Sequence, residues 1–65
     1  MLEYRITSDD LITGEHHVLR VEAHDKKDAI QKALDLLKIA GVTGKQLLTV
    51  TRIEFVTTIV KEVKK

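Results

Sequence analysis

Residues 25–40 read DKKDAIQKALDLLKIA, and this stretch decides the fold because it is the strongest helix signal in the chain. Asp25 is placed to accept hydrogen bonds from the free amides of a first helical turn, and Gly41 to end the helix in a left-handed conformation. At about 100° per residue, the apolar side chains share one stripe: Ala29, Ile30, Ala33, Leu34, Leu37 and Ala40. The pattern predicts one amphipathic helix, and its three alanines predict close approach to a sheet.

The segments before the helix alternate between apolar and polar residues with a period of two, which is typical of half-buried strands. Leu2, Tyr4 and Ile6 share one face of the first segment, and the alternation resumes over residues 17–23. Turn-forming residues lie between the two segments, which therefore predict a hairpin with a long connection. Two apolar residues of that connection, Leu11 and Ile12, are expected to tuck under the end of the helix as core. The less favoured alternative is an exposed apolar loop tip that contacts a partner.

The segment after the helix, residues 47–60, is dominated by Thr, Val and Ile, whose branched side chains favour strands. If it is one strand, Phe55, Thr57 and Ile59 share a face with Ile53, and the residues between them share the other. The alternation is irregular near residues 49–52, which leaves open a break into two strands. A helix over residues 55–63 is the less favoured alternative.

These elements predict a single α+β domain over residues 1–65, with the order ββαβ. Because the third strand returns after a helix, it fits best beside the first. We therefore expect an antiparallel sheet of three strands in the order 2-1-3, or of four strands if residues 47–60 break, with the helix on one face. Residues 61–65 read KEVKK and are expected to form a basic, frayed tail.

One helix covers only one side of such a sheet, and its outer strands have unpaired backbone groups. The uncovered side is expected to be half apolar, and its exposed side chains are the predicted partner-binding residues: Val18, Arg20, Arg52, Glu54, Val56 and Thr58. We therefore expect a non-enzymatic, regulatory protein-interaction module. It would form a homodimer or dock on a larger protein through the open sheet face or an edge strand.

Composition limits the chemistry. The chain has 65 residues, a formal net charge of +1 and no cysteine, which excludes disulfides, thiolate metal ligands and a cysteine nucleophile. Neighbouring residues of a strand point to opposite faces, so His16 and His17 do not converge on one ion. Asp9 and Asp10 are typical of a turn. We expect no catalytic residue, no metal ligand and no cofactor.

Two further expectations concern binding and location. The segment GVTGK over residues 41–45 lacks the spacing of a phosphate-binding loop and leaves a helix rather than entering one. No apolar run is long enough to cross a membrane, so a cytoplasmic protein is expected.

Nucleic-acid binding is the alternative function. Its candidate cations are Arg5, Arg20, Lys45 and Arg52. The only two aromatic residues, Tyr4 and Phe55, lie on predicted core faces, which leaves no platform for stacking bases. Acidic residues also interrupt the cations, so protein interaction is the preferred function.

Overall fold

The computed structural model describes residues 1–52 and 55–64. Its elements in chain order are β1 (Leu2–Asp10), β2 (His16–Ala23), α1 (Lys26–Ile39), β3 (Gly44–Arg52) and β4 (Phe55–Val63). The four strands form one antiparallel sheet in the order β2-β1-β3-β4. The predicted α+β class, the 2-1-3 order and the four-stranded alternative are confirmed.

The C-terminal part of the chain forms two strands rather than one. The break lies later than residues 49–52, where it was expected: β3 continues to Arg52, β4 begins at Phe55, and the two strands pair antiparallel along their whole length. The alternative of a helix over residues 55–63 is wrong, because this segment is β4. The strand also takes in residues 61–63 of the expected tail, and Val63 is buried in the core.

The helix begins and ends where its sequence predicts. The Asp25 carboxylate accepts a hydrogen bond from the Asp28 amide at 2.8 Å. At the other end, the Val42 amide donates to the Leu37 carbonyl at 2.9 Å and the Gly41 amide donates to the Lys38 carbonyl at 3.1 Å. This paired arrangement requires a left-handed residue after the last turn, and Gly41 supplies it with φ of +86°.

The sheet has two faces because alternate side chains of a strand point to opposite sides. The helix face is formed by the even-numbered residues of β1 and β3 and the odd-numbered residues of β2 and β4. It holds most of the core, which comprises Tyr4, Ile6, Val21, Ala23, Leu48, Val50 and Val63 from the strands and Ala29, Ala33 and Leu37 from α1. The three alanines at residues 23, 29 and 33 are fully buried and let α1 approach the sheet closely.

The opposite side of the sheet, which we call the open face, consists of the odd-numbered residues of β1 and β3 and the even-numbered residues of β2 and β4. The helix packs against the other side, chiefly on β2, with further contacts to β1 and β4. Within residues 1–52 and 55–64, no helix or strand lies over the open face. The expectation that one side of the sheet has no cover from this chain therefore holds for the described residues.

Candidate protein-interaction face

The open face is divided lengthwise into a charged half on β1 and β2 and an apolar half on β3 and β4. In the charged half, Arg5 lies directly opposite Arg20, and Glu3 lies directly opposite Glu22. Like charges that face each other across two strands repel. The repulsion is partly offset along the diagonal, where Arg20 Nη1 lies 3.9 Å from Glu3 Oε1.

The other end of the charged half holds a contact that the sequence did not suggest. Nδ1 of His16 lies 2.5 Å from Oδ1 of Asp9, and both side chains are substantially exposed. The two residues are partners in the register of β1 and β2, so their side chains point to the same side. The alternation of residues 1–7 stops short of Asp9, which is why this pair was missed.

The apolar half consists of valines, threonines and one leucine, with one charged pair, Lys45 and Glu62, at the end near the start of β3. Val56 and Val60 on β4 are 67% and 54% exposed. Their β3 partners in the register are Thr51 and Leu47, and Thr49 pairs with Thr58 between them. Val18, on the outer strand of the charged half, is 56% exposed. Exposed apolar side chains that share one face mark this face as a candidate surface for contact with another molecule.

Of the six predicted partner-binding residues, the structure brings four together on the open face: Val18, Arg20, Val56 and Thr58. Arg52 belongs to the other side, because it pairs with Phe55 in the register and follows Val50 by two residues. Its predicted place was wrong because the prediction assumed one strand over residues 47–60, whereas the outward-facing residues are odd-numbered in β3 and even-numbered in β4. Glu54 lies outside the described residues.

The four cations proposed for nucleic-acid binding are likewise divided between the two faces of the sheet. Arg5, Arg20 and Lys45 are on the open face, and Arg52 is on the helix face. Tyr4 is buried as expected. Phe55 also points to the helix side, but it is 60% exposed rather than core. It lines a cavity of about 410 Å³ near the start of α1, together with Leu2, Tyr4, Val50 and Arg52.

The connection between β1 and β2 is exposed, so the favoured core position of its apolar residues is wrong and the exposed alternative describes it. Leu11 is 50% and Ile12 is 88% exposed, so they are not core. The Asp10 carboxylate shapes this turn by accepting hydrogen bonds from the amides of Thr13 and Ile12, each at 2.8 Å. These bonds, that of Thr13 first, hold the pKa of Asp10 below its ordinary value.

The described residues contain no group of three or more side chains placed to hold a metal ion. His16 is on the open face and His17 on the helix face, where the buried Nε2 of His17 has no hydrogen-bond partner among the described atoms. No helix in this part of the chain combines the length and apolar character that crossing a bilayer requires.

No protein-family model matches this chain, no curated protein matches it, and no solved structure matches it. Its function is therefore inferred from the residues of the open face.

Proposed function

We propose that this chain is a non-enzymatic interaction module that binds a protein partner through the open face. One observation carries the proposal: Val18, Val56 and Val60 are each more than half exposed on a sheet face that no other described element covers. Burying apolar surface contributes roughly 25 cal/mol per Å², so covering these side chains favours association. The partner is a second copy of the chain or a larger protein. A regulatory role and the cytoplasmic location expected from the sequence belong to the same proposal.

The size of the chain supports this proposal. A domain of about 60 residues buries only roughly 60% of the surface that its unfolded chain exposes, so its core is small. Most of this core lies on the helix face. Covering the open face would add a second apolar layer, and this is one of the ways in which small domains gain stability.

A charge placed in the apolar half tests this proposal. Val60→Lys puts a cation on an edge strand, where lysine is well tolerated. Ile39→Lys is the matched control, because Ile39 is 83% exposed at the end of α1, away from the open face. Light scattering over micromolar concentrations should show self-association that Val60→Lys abolishes and Ile39→Lys preserves. A chain that is monomeric throughout, or a dimer insensitive to Val60→Lys, would count against the open face as a self-association surface.

Nucleic-acid binding is the second candidate function, and the placement of Arg5 beside Arg20 favours it. Lys45 lies on the same face, but Glu3, Asp9 and Glu22 dilute the positive charge. Titration with duplex DNA at two salt concentrations tests it. Contacts to phosphates must weaken steeply with salt, so the absence of binding at low salt would exclude this candidate.

A further inference from the structure

We propose that the partner of the open face is a second copy of this chain, packed face to face about a two-fold axis that runs across the strands. The axis passes over the row formed by Val18, Thr7, Thr49 and Thr58, which are successive partners across the four strands. This inference rests on the proposed function, because it names the occupant of the same face. It also fixes which residues of the two copies meet.

The division of the open face into halves selects the direction of the axis. We take the aligned class of sheet packing, in which strands of the two sheets stay within about 30° of each other, so a two-fold axis in the interface runs either along the strands or across them. An axis along the strands would place the charged half on the apolar half, with Val56 against the partner's Arg20. An axis across the strands places the charged half on the partner's charged half and the apolar half on the partner's apolar half. Burying valines against charged side chains is unfavourable, so the second arrangement is preferred.

The position of the axis follows from the charges. The axis places the row of Val18 and Thr58 over the same row of the partner. The neighbouring row on one side, which contains Arg5 and Val56, then packs against the partner's row on the other side. Arg5 then lies over the partner's Asp9, and Val56 lies over the partner's Val60. By symmetry, each of these contacts occurs twice. A shift of the axis by one row would move Arg5 away from the partner's Asp9.

Arg5 and Asp9, the two residues of the proposed ion pair, can each form further hydrogen bonds. In the described part of the chain, Arg5 has no carboxylate within 4 Å, although a guanidinium has five donors. Asp9 contacts His16 through Oδ1, and no described donor reaches its Oδ2. A carboxylate can accept from two partners at once, so Asp9 can keep His16 and also receive the partner's Arg5.

The area of the face is sufficient for a reversible dimer. A nine-residue strand is about 30 Å long and four strands are about 19 Å wide, so two apposed faces enclose roughly 1,100 Å². Specific interfaces begin at about 1,000 Å². The dimer is therefore expected to form and dissociate in the micromolar range rather than to be permanent.

Charge reversal at the two positions tests the arrangement. In Arg5→Asp the aspartate introduced at position 5 faces the partner's Asp9, and in Asp9→Arg the introduced arginine faces the partner's Arg5. We expect each variant alone to dimerise at least about tenfold more weakly, because two repulsive contacts replace two attractive ones. An equimolar mixture of the two should form a heterodimer, since both contacts then join opposite charges. The double variant R5D/D9R should dimerise like the original chain. Lys27→Asp, which makes the same charge change as R5D but on α1, is the control.

The possible outcomes separate this inference from the proposed function. Recovery of dimers on mixing, measured by sedimentation velocity, supports the two-fold arrangement. Loss of dimers in R5D without recovery on mixing overturns the arrangement while leaving the open face as the interface. Dimers that resist R5D, D9R and Val60→Lys overturn both proposals. If the original chain is monomeric at all concentrations, a second copy is not the partner, and a larger protein remains.

Cross-linking gives an independent measurement because the chain has no cysteine of its own. Thr58 lies on the axis, so two copies of Thr58→Cys should be about 10 Å apart, the spacing of packed sheets. A short bifunctional maleimide should join them. Glu22→Cys lies four residues along its strand from Val18, which separates the two copies by roughly 27 Å. Efficient cross-linking through position 22 but not 58 would contradict the proposed axis.

Discussion

The hydroxyl of Ser8 donates a hydrogen bond to Oε1 of Gln46 at 2.8 Å, and both side chains are fully buried between β1 and β3. The Gln46 amide nitrogen donates in turn to Asp10 Oδ2 at 3.1 Å and to the Thr43 carbonyl at 3.2 Å. All of the polar groups of this amide are therefore occupied. A buried polar pair of this kind costs little while it is satisfied and a great deal when one partner is removed. It therefore favours the observed register of β1 and β3.

We predict that Ser8→Ala lowers the free energy of unfolding by about 1–3 kcal/mol, because it leaves Gln46 Oε1 buried without a donor. Lys27→Ala, on the exposed side of α1, should change it by less than about 0.5 kcal/mol. Urea denaturation measures both. A double variant that also replaces Gln46 with Met should lose less than the sum of the two single variants, by at least about 0.5 kcal/mol. Strict additivity would mean that the pair does not act as a unit.

The phase of the helix is tested at two positions near its C-terminal end. Leu37 is 1% exposed and Ile39 is 83% exposed. Leu37→Ala should cost about 2–5 kcal/mol because it leaves a cavity in the core. Ile39→Ala should stay within about 0.5 kcal/mol. Thermal unfolding followed by circular dichroism distinguishes them, and equal losses would place the apolar stripe on the wrong side of α1.

The conformation of Gly41 gives a third prediction. A side chain at a positive φ costs roughly 1–2 kcal/mol for an L-residue, and nothing lies within 4 Å of a Cβ built at this glycine. Gly41→Ala should therefore destabilise the protein by about 1 kcal/mol through the backbone alone. Gly41→Asn should be milder, because asparagine tolerates this region. Guanidinium titrations of the two variants provide the comparison; an alanine variant as stable as the original would argue against this helix ending.

Two carboxylates should make the fold sensitive to acid. Backbone donation from Thr13 and then Ile12 lowers the pKa of Asp10, and donation from the His24 amide, with Lys32 nearby, lowers the pKa of Asp28. A lowered folded-state pKa stabilises the protein at pH values above the ordinary value of about 3.9. That stabilisation is lost as the pH falls through the folded-state pKa.

Carbon-detected NMR titration should therefore place the pKa of both carboxyl groups below 3.9. The unfolding free energies of Asp10→Asn and the original chain should converge as the pH falls through the folded-state pKa of Asp10. If the gap between the two proteins is as wide at the acid end as at neutral pH, the carboxylate charge is not the source of the stabilisation.

The sequence predicted the elements whose signals are local. The limits of α1 followed from Asp25 and Gly41 because caps depend on a few neighbouring backbone groups. The 2-1-3 order followed from chain connectivity. The end of β3 could not be located, because the residues that follow Arg52 in the sequence are Ile and Glu rather than the Gly, Asn or Asp that mark tight turns.

Four of the six residues predicted to lie on the open face do lie on it. Successive side chains of a strand point to opposite faces of the sheet, so one residue of known orientation fixes the others in the same strand. This rule correctly placed Val18, Arg20, Val56 and Thr58. Arg52 was assigned to the wrong side because outward-facing residues are odd-numbered in β3 but even-numbered in β4. The contacts of Asp9 with His16 and of Ser8 with Gln46 depend on pairing between separate strands. Single-strand patterns do not contain that information.

The central place of β1 in the sheet has a consequence for how the chain folds. β1 pairs with its neighbour in sequence, β2, and also with β3, whose Gln46 lies 38 positions after Ser8. The β1–β2 hairpin closes a short loop, whereas joining β3 closes a long one at a higher entropic cost. During synthesis, β1 is therefore exposed along one side until β3 emerges. The step in which β3, together with β4, pairs with the free edge of β1 is expected to limit the folding rate.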